Sequence, residues 1–174
     1  MVATPNDNPA DDAASPVADA FHPHDHRACR QVAMAAVVAE CGERQLRLTP
    51  ARAFVLEALL ESHKAMTAYE LLDRLRSAGL GSQPPVVYRA LDFLVGNGFA
   101  HRVERLSAFV ACTHGASAHA AGFLICRLCR TVAEADLTGI GSILGASAAA
   151  EDFVAERVTI EAEGICGRCR AEGR

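Results

Sequence analysis

Two closely spaced cysteine pairs near the C-terminus form the strongest chemical pattern in this sequence. Cys126 and Cys129 are separated by two residues, and so are Cys166 and Cys169. Each pair can supply two thiolates from one tight turn, and four thiolates complete the tetrahedral shell of a zinc ion at about 2.3 Å. A closed shell leaves no position for water. The spacing therefore predicts a structural zinc site that ties the end of the chain to its middle.

Other uses of these cysteines are less consistent with the sequence. A redox pair of the thioredoxin type needs one such motif in a β-α-β setting, and four ordinary buried cysteines leave the duplicated spacing unexplained. The chain has seven cysteines, an odd number, and its first 26 residues carry five acids and no base, unlike the start of a secretory signal. No apolar run approaches the roughly 18 residues of a membrane span. We therefore expect a cytoplasmic protein with reduced thiols and no membrane partner.

A second set of residues could also bind metal. His101, Cys112, His119 and Glu134 each carry a competent zinc ligand, and together they would form a mixed nitrogen, sulfur and oxygen site. Taken singly, they are equally compatible with a hairpin residue, a small core residue, a loop histidine and a surface acid. His114 is a rival to His119, because it lies two residues from Cys112. Spacing alone cannot decide whether these residues meet in space.

The elements that must position these residues begin with four predicted helices. The first spans about 28–41, and the second starts at Thr49, with a proline in its first turn. The third starts at Thr67, whose spacing to Glu70 is that of a capping box. The fourth starts near Pro84 and has apolar residues at the spacing of one buried helix face.

A predicted hairpin follows the fourth helix, with strands at Phe99–Glu104 and Ala108–Cys112. Two helices joined by a short turn and followed by a hairpin are typical of a winged helix-turn-helix, in which the second helix enters the major groove of DNA. The exposed face of that helix carries Tyr88 and Arg89, so these are candidate DNA contacts. Tyr88 could equally be a half-buried helix residue.

The remaining chain predicts short elements of mixed type. Strands are expected at Phe123–Cys126 and Thr131–Glu134, a helix at Thr138 to about Glu151 with Ile140, Ile143 and Leu144 inward, and an alternating strand within Val154–Ala162. These elements are too short to bury a core alone, so both the zinc staple and a partner chain are expected. The fold class is α+β: an N-terminal winged helix-turn-helix domain and a small α/β dimerisation domain with a short antiparallel sheet.

Composition supports two small domains. We expect a disordered tail at 1–26, a DNA-binding domain at 27–112, a hinge at 113–121 and a dimerisation domain at 122–174. Residues 27–105 carry eleven bases and eight acids, and this is the only net basic segment in a chain of net charge −4. A module that contacts phosphates has this sign of charge, although +3 is common in any domain.

Several motifs together resemble the ferric uptake regulator family, and in particular its zinc uptake regulator branch. They are Arg47-Leu48-Thr49-Pro50, Pro84-Pro85-Val86-Val87-Tyr88-Arg89-Ala90-Leu91, Gly98-Phe99-Ala100-His101 and the paired cysteines. The resemblance covers roughly residues 35–170. It implies a homodimer that, loaded with zinc at two sites per subunit, binds an A/T-rich palindromic operator and represses zinc uptake genes.

The resemblance also implies roles for individual residues. His101, Cys112, His119 and Glu134 match the regulatory metal site of the family, and Arg47, Thr49, Tyr88 and Arg89 match its DNA-binding segments. Two departures stand out. Val86 replaces a hydroxyl residue that usually precedes the Val-Tyr-Arg segment, and His119 stands alone where other branches carry a histidine cluster. The missing cluster and the soft thiolate ligand favour zinc over iron or manganese.

Other functional classes remain as alternatives. An iron, manganese or peroxide sensor of the same family is one, and a zinc-ribbon interaction module without DNA binding is another. An enzyme, such as a zinc hydrolase or deaminase, would need an open coordination position beside a general base, and the sequence carries neither motif of those classes. We therefore expect no catalysis and no small-molecule substrate.

Overall fold

The computed structural model describes residues 20–21, 26–112, 121–135, 138–156 and 158–173. Its helices are α1 (His26–Glu43), α2 (Pro50–Leu60), α3 (Ala68–Ser77), α4 (Pro84–Gly96), α5 (Thr138–Ala150) and α6 (Gly167–Ala171). Its strands are β1 (Met66–Thr67), β2 (Ala100–Val103), β3 (Ala108–Ala111), β4 (Ala121–Cys126), β5 (Val132–Ala135) and β6 (Thr159–Gly164). A 3₁₀ turn at Glu104–Leu106, called here the wing turn, joins β2 to β3. Within these ranges, no helix is both long and apolar enough to span a membrane.

The four N-terminal helices begin close to the predicted positions. Thr67 caps α3 as expected: its hydroxyl accepts the Glu70 N–H at 3.2 Å, and the Glu70 carboxylate accepts the Thr67 N–H at 2.7 Å. Thr49 precedes α2, but its side chain makes no capping hydrogen bond. The inward faces of α2, α3 and α4 share one core, in which Leu71, Leu75 and Leu94 are fully buried. Each such side chain stabilises the fold by about 1.5–3 kcal/mol.

The wing contains one strand more than predicted. Its sheet has the order β1-β3-β2, and both pairs of neighbouring strands are antiparallel. The two-residue strand β1 is too short to leave a periodic signal in the sequence. Ser107 closes the wing turn with a positive φ of 46°. Helix, turn, helix and hairpin follow one another in the order predicted for a winged helix-turn-helix.

The C-terminal sheet is mixed, which corrects the prediction of a short antiparallel sheet. Its order is β5-β4-β6; β4 and β5 are antiparallel, whereas β4 and β6 are parallel. β5 ends beside the start of β4, and after α5 the chain enters β6 at this same end of the sheet. β6 therefore starts beside the start of β4 and runs in its direction.

Two further predictions in this region need correction. The alternating pattern placed a strand within 154–162, but β6 starts only at Thr159, after a turn at 151–152. Ile143 was expected to point inward, yet it is 71% exposed, and Ile140 and Leu144 are also exposed. The apolar face of α5 is present, but the described residues of this chain leave it exposed.

The wing packs directly on the C-terminal sheet. One buried cluster contains Ala65, Val103, Ala108 and Val110 from the N-terminal part together with Phe123, Ile125 and Val132 from the sheet. Backbone contacts continue it, since the Val132 N–H donates to the His63 carbonyl at 2.8 Å. Of the predicted hinge at 113–121, residues 113–120 lie outside the described residues, and Ala121 belongs to β4. The domain boundaries stay a prediction.

Candidate metal centres and nucleic-acid interface

The four cysteines of the two pairs form one cluster, called here the four-cysteine cluster. Cys126 ends β4 and Cys129 lies in the turn after it, while Cys166 and Cys169 lie at the start of α6. Their sulfur atoms all lie within 4.8 Å of one another, and all four are thiols rather than disulfide partners. The sulfurs of Cys129 and Cys166 are 3.8 Å apart. This separation equals the edge of a tetrahedron whose four sulfurs lie about 2.3 Å from a central zinc ion.

Pairing of β4 with β6 brings the two cysteine motifs together. Cys126 lies opposite Gly164 at the end of the parallel pair, so the chain reaches Cys166 two residues later beside the first motif. The Cys166 N–H donates to the Cys126 sulfur at 3.4 Å. Phe21, at the end of the predicted tail, packs against the same cluster.

The electrostatics of this cluster favour a cation. Burial by itself would raise the pKa of the Cys126 thiol, but the surrounding backbone N–H groups, which include those of Cys129 and Cys166, lower it to about 6. Burial and its hydrogen bonds to the neighbouring cysteines raise the pKa of Cys169 to about 12. The N–H groups around Cys126 therefore favour its thiolate, the form of cysteine that binds a metal ion.

Three residues of the predicted regulatory set also meet, and they are called here the mixed cluster. His101 lies on β2, Cys112 directly follows β3, and Glu134 lies on β5. One ligand atom from each lies within 4.8 Å of the others. The His101 Nε2 is 2.8 Å from the Glu134 Oε1, and the Cys112 sulfur is 3.9 Å from that oxygen. His119, the fourth predicted member, and its rival His114 lie outside the described residues.

The surroundings of the mixed cluster are largely dry. Only 4% of the Glu134 side chain is exposed, and 16% of the His101 side chain. The His101 ring packs on Phe123 with its centroid 5.4 Å away. A buried carboxylate is costly without a positive partner, so imidazole, thiol and carboxylate groups collected here suit a divalent cation that accepts all three ligand types. The cluster joins the wing hairpin to the C-terminal sheet.

The predicted DNA-facing residues lie on the surface of the N-terminal part. On α4, Tyr88 is 47% exposed and Arg89 is exposed, with the Arg89 Nε donating to the Pro85 carbonyl at 3.1 Å. Arg47 is exposed and Thr49 is partly exposed just before α2. The opposite side of α4 is buried in the core, so Tyr88 and Arg89 face solvent on a firmly packed helix.

Three further residues of this surface were not predicted from the sequence. Arg52 donates to the Arg47 carbonyl at 2.6 Å and lies 3.8 Å from the centre of the Phe93 ring, so it ties the start of α2 to α4. Arg44 donates to both the carbonyl and the side chain of Asn97, after the end of α4. Tyr69, in the first turn of α3, is 75% exposed. A large aromatic side chain two residues after the capping Thr67, in the first turn of the helix, is the sequence signal that could have marked it.

In the described part of the chain, neither Cys29, Cys41 nor His63 belongs to a cluster of potential ligands. Cys29 is exposed on α1, and Cys41 is buried against the helical core. Burial raises the pKa of the Cys41 thiol, which makes it a poor ligand and nucleophile.

Comparisons with known proteins agree with these features. The model of the Ferric uptake regulator family matches residues 43–163. The zinc uptake regulation protein of Escherichia coli strain K12 is 40% identical over 130 residues, which cover 74% of this chain and 76% of the relative.

Two solved structures are similar over nearly their whole length. A zinc uptake regulator complexed with zinc and DNA has a TM-score of 0.78 and 38% identity, covering 83% of this chain and 98% of its own. The holo form of XcZur has a TM-score of 0.71 and 45% identity, covering 84% of this chain and 99% of its own.

Proposed function

Because this chain belongs to the ferric uptake regulator family, we propose that it is a zinc-responsive transcriptional repressor. As a zinc-loaded homodimer, it binds operator DNA and controls zinc uptake genes. The mixed cluster is the observation that carries this proposal, because its members come from both the DNA-facing part and the C-terminal sheet. The named relatives, a zinc uptake regulation protein and a regulator complexed with zinc and DNA, support the choice of metal and of partner.

The four-cysteine cluster is the structural zinc site in this proposal. Its sulfur spacing suits a closed tetrahedral shell. Cys126 and Cys129 follow β4, and Cys166 and Cys169 begin α6, so the site holds the end of the chain against the sheet. Such a site contributes to folding and does not respond to changing zinc supply.

The mixed cluster is the regulatory site, with His101, Cys112 and Glu134 as ligands and His119 as the fourth. When bound, zinc supplies one positive centre that accepts a nitrogen, a sulfur and an oxygen ligand together. The thiolate of Cys112 disfavours iron and manganese relative to zinc. His101 near the start of β2 and Cys112 just after β3 lie at the open end of the wing hairpin, and Glu134 lies on β5, so occupancy of the site determines how the hairpin sits on the sheet.

DNA binding is assigned to the exposed surface around α4. Arg89 is the candidate for a guanine or phosphate contact, and Tyr88 for a thymine methyl or phosphate contact. Arg47 and Thr49, before α2, are placed to contact the phosphate backbone. Two such helices in one dimer reach successive major grooves about 34 Å apart, which requires a palindromic site.

The homodimer in this proposal uses the uncovered apolar face of α5. Ile140, Ile143 and Leu144 are exposed there, although apolar side chains in such numbers are normally covered in a soluble protein. A second copy of the chain would bury them and would present two DNA-binding surfaces with twofold symmetry. The repressor acts in the cytoplasm, where the operator is found and thiols stay reduced. We infer no catalytic role, since both ligand sets are completed by protein side chains.

A gel-shift titration tests the proposal. The wild-type protein should retard an A/T-rich palindromic duplex in the presence of zinc and release it when a chelator removes the regulatory metal. Iron(II) and manganese at the same free concentration should be much less effective. Arg89→Ala should abolish retardation but keep both zinc ions and the dimer. Retardation that is independent of metal, or that iron(II) supports better than zinc, contradicts the proposal.

A further inference from the structure

One row of side chains crosses the C-terminal sheet from edge to edge. Phe123 on β4 lies opposite Glu134 on β5 and opposite Glu161 on β6. Residues that lie opposite one another on neighbouring strands project from the same face of the sheet. Two carboxylates therefore flank the buried Phe123 on the face that carries the wing hairpin. Glu134 belongs to the mixed cluster, whereas Glu161 belongs to neither ligand cluster of the described residues.

Glu161 contacts the other end of the hairpin. Its carboxylate accepts the backbone N–H of Glu104 at 2.6 Å and that of Arg105 at 2.9 Å. These donors lie at the start of the wing turn, where N–H groups lack partners within the turn and the preceding Val103 has no side-chain acceptor to offer. A carboxylate from another element satisfies both donors.

Glu163 strengthens the same attachment. Its carboxylate accepts two hydrogen bonds from the Arg105 guanidinium, at 2.8 and 3.2 Å. The Arg105 side chain also holds the pKa of Glu163 below its ordinary value, so the acid is charged at neutral pH. Arginine side chains are common phosphate contacts in DNA-binding proteins, but here the Arg105 side chain faces an acid of its own chain. The set formed by Glu161, Glu163 and the N–H groups of Glu104 and Arg105 is called here the wing-turn contact.

The two attachments lie on opposite edges of the sheet. The mixed cluster joins the open end of the hairpin to β5, and the wing-turn contact joins its closed end to β6. A hairpin attached to the sheet at one point can still rotate about that point, whereas two separated attachments also fix its orientation. The wing hairpin carries the helical core that contains α4, so its direction on the sheet determines the direction of the DNA-facing surface.

We propose that Glu161 is a positioning residue for operator binding, which acts by fixing the wing turn to β6, and that the wing turn supports the domain arrangement instead of reading DNA. This inference rests on the proposed function. The same arrangement brings His101 and Cys112 to Glu134. The wing-turn contact and the regulatory zinc therefore stabilise one conformation and raise each other's occupancy.

The test compares Glu161→Gln with Glu104→Gln in the full-length protein. Both substitutions remove one negative charge close to the wing turn, but Glu104 contributes only its backbone N–H to the contact, and its carboxylate forms an exposed ion pair with Arg102. We expect Glu161→Gln to weaken operator binding by the zinc-loaded protein about tenfold, because an amide oxygen replaces a carboxylate that accepts two hydrogen bonds. Glu104→Gln should stay within about twofold of wild type. Equal operator affinities for the two variants overturn the proposal.

A second measurement, made without DNA, separates positioning from general damage. Zinc affinity of the regulatory site, determined by competition with a chelator, should fall severalfold in Glu161→Gln and stay unchanged in Glu104→Gln. The four-cysteine cluster should keep its zinc in both. If Glu161→Gln does not fold, Arg105→Ala replaces it, since this variant keeps the backbone donors and loses only the contact with Glu163.

Arg105→Ala also distinguishes the two roles of the wing turn. A supporting role predicts weaker regulatory zinc binding in the absence of DNA, whereas a DNA-reading role predicts weaker operator binding with unchanged zinc affinity. The second result overturns the proposal. Failure of wild type to bind any operator with zinc would refute the proposed function, while the DNA-free zinc measurement would still decide whether the wing-turn contact positions the hairpin.

Discussion

Replacement of His101 by alanine gives the most direct test of the regulatory site. The substitution removes an imidazole that is 2.8 Å from the Glu134 carboxylate and packs on Phe123, at the point where the hairpin meets the sheet. We expect zinc content to fall from two ions per chain to one, because the four-cysteine cluster keeps its own ion. Operator binding in excess zinc should fall to the level of the chelator-treated wild type.

The size of the effect follows from the burial of the remaining ligands. Without His101, three of the four proposed ligands remain, and three hold a metal less tightly than four; two of them, Glu134 and Cys112, are only 4% and 8% exposed in the intact structure. A buried carboxylate without a positive partner costs several kcal/mol, so the arrangement that binds zinc opens instead. Coupling between effector and ligand is commonly about 1–3 kcal/mol, and we expect the upper part of that range, a loss of about 100-fold in operator affinity.

The assay combines elemental analysis of zinc per chain with fluorescence anisotropy on a palindromic duplex selected from a random pool. His63→Ala is the matched control, since it removes the same side chain from a residue outside both ligand clusters of the described chain. This control should keep two zinc ions and wild-type affinity. An His101→Ala protein that retains two ions per chain, or that binds the operator as tightly as wild type, would refute the assignment of His101.

Three other substitutions test the structural zinc site, the N-terminal cap of α3 and the dimer interface. Cys166→Ala should release the structural zinc and lower the melting temperature even in excess zinc, because three thiols cannot complete the shell; a calorimetric scan that matches wild type would contradict this. Thr67→Ala should cost about 1 kcal/mol in urea unfolding at pH 7 through loss of the capping box. In the folded protein, hydrogen bonds from the Thr67 backbone N–H and its hydroxyl lower the pKa of Glu70 below its ordinary value of 4.5. The charged Glu70 carboxylate therefore stabilises the fold above about pH 4.5, and this stabilisation is lost as the pH falls through the pKa of the folded state. Thr67→Ala keeps the backbone N–H but removes the hydroxyl that donates to Glu70. The difference between this variant and wild type should therefore shrink in acid, and a constant difference would show that the hydroxyl does not act through the Glu70 carboxylate. Ile143→Glu should convert the dimer to a monomer in analytical ultracentrifugation, whereas Val32→Glu, at a 72% exposed position on α1, should not; dimers in both variants would place the interface elsewhere.

Local features of this protein were predictable from the sequence because short-range interactions set them. The capping box at Thr67 and Glu70 depends on residues three apart, and the prolines that start α2 and α4 act within a single turn. The spacing of each cysteine pair likewise places two sulfurs on one turn wherever that turn lies. The starts of α2, α3 and α4 followed from such patterns, whereas the two cysteine pairs meet only through the pairing of β4 with β6.

Features that depend on chain direction or on distant contacts were not predictable in this way. The two-residue strand β1 forms only because β3 lies beside it, and the parallel pairing of β4 with β6 depends on the path of α5. The exposure of Ile143 shows that an apolar helix face indicates burial without indicating which chain provides it.

The meeting of His101 and Cys112 with Glu134, and of Glu161 with the wing turn, requires residues 22 to 57 positions apart to close long loops. Periodicity and spacing carry no information about such closures, since the free energy that drives them comes from burial of the cluster around Phe123. For that reason the sequence showed which residues could be metal ligands. The two attachments of the hairpin, at opposite edges of the sheet, depend on the folded structure.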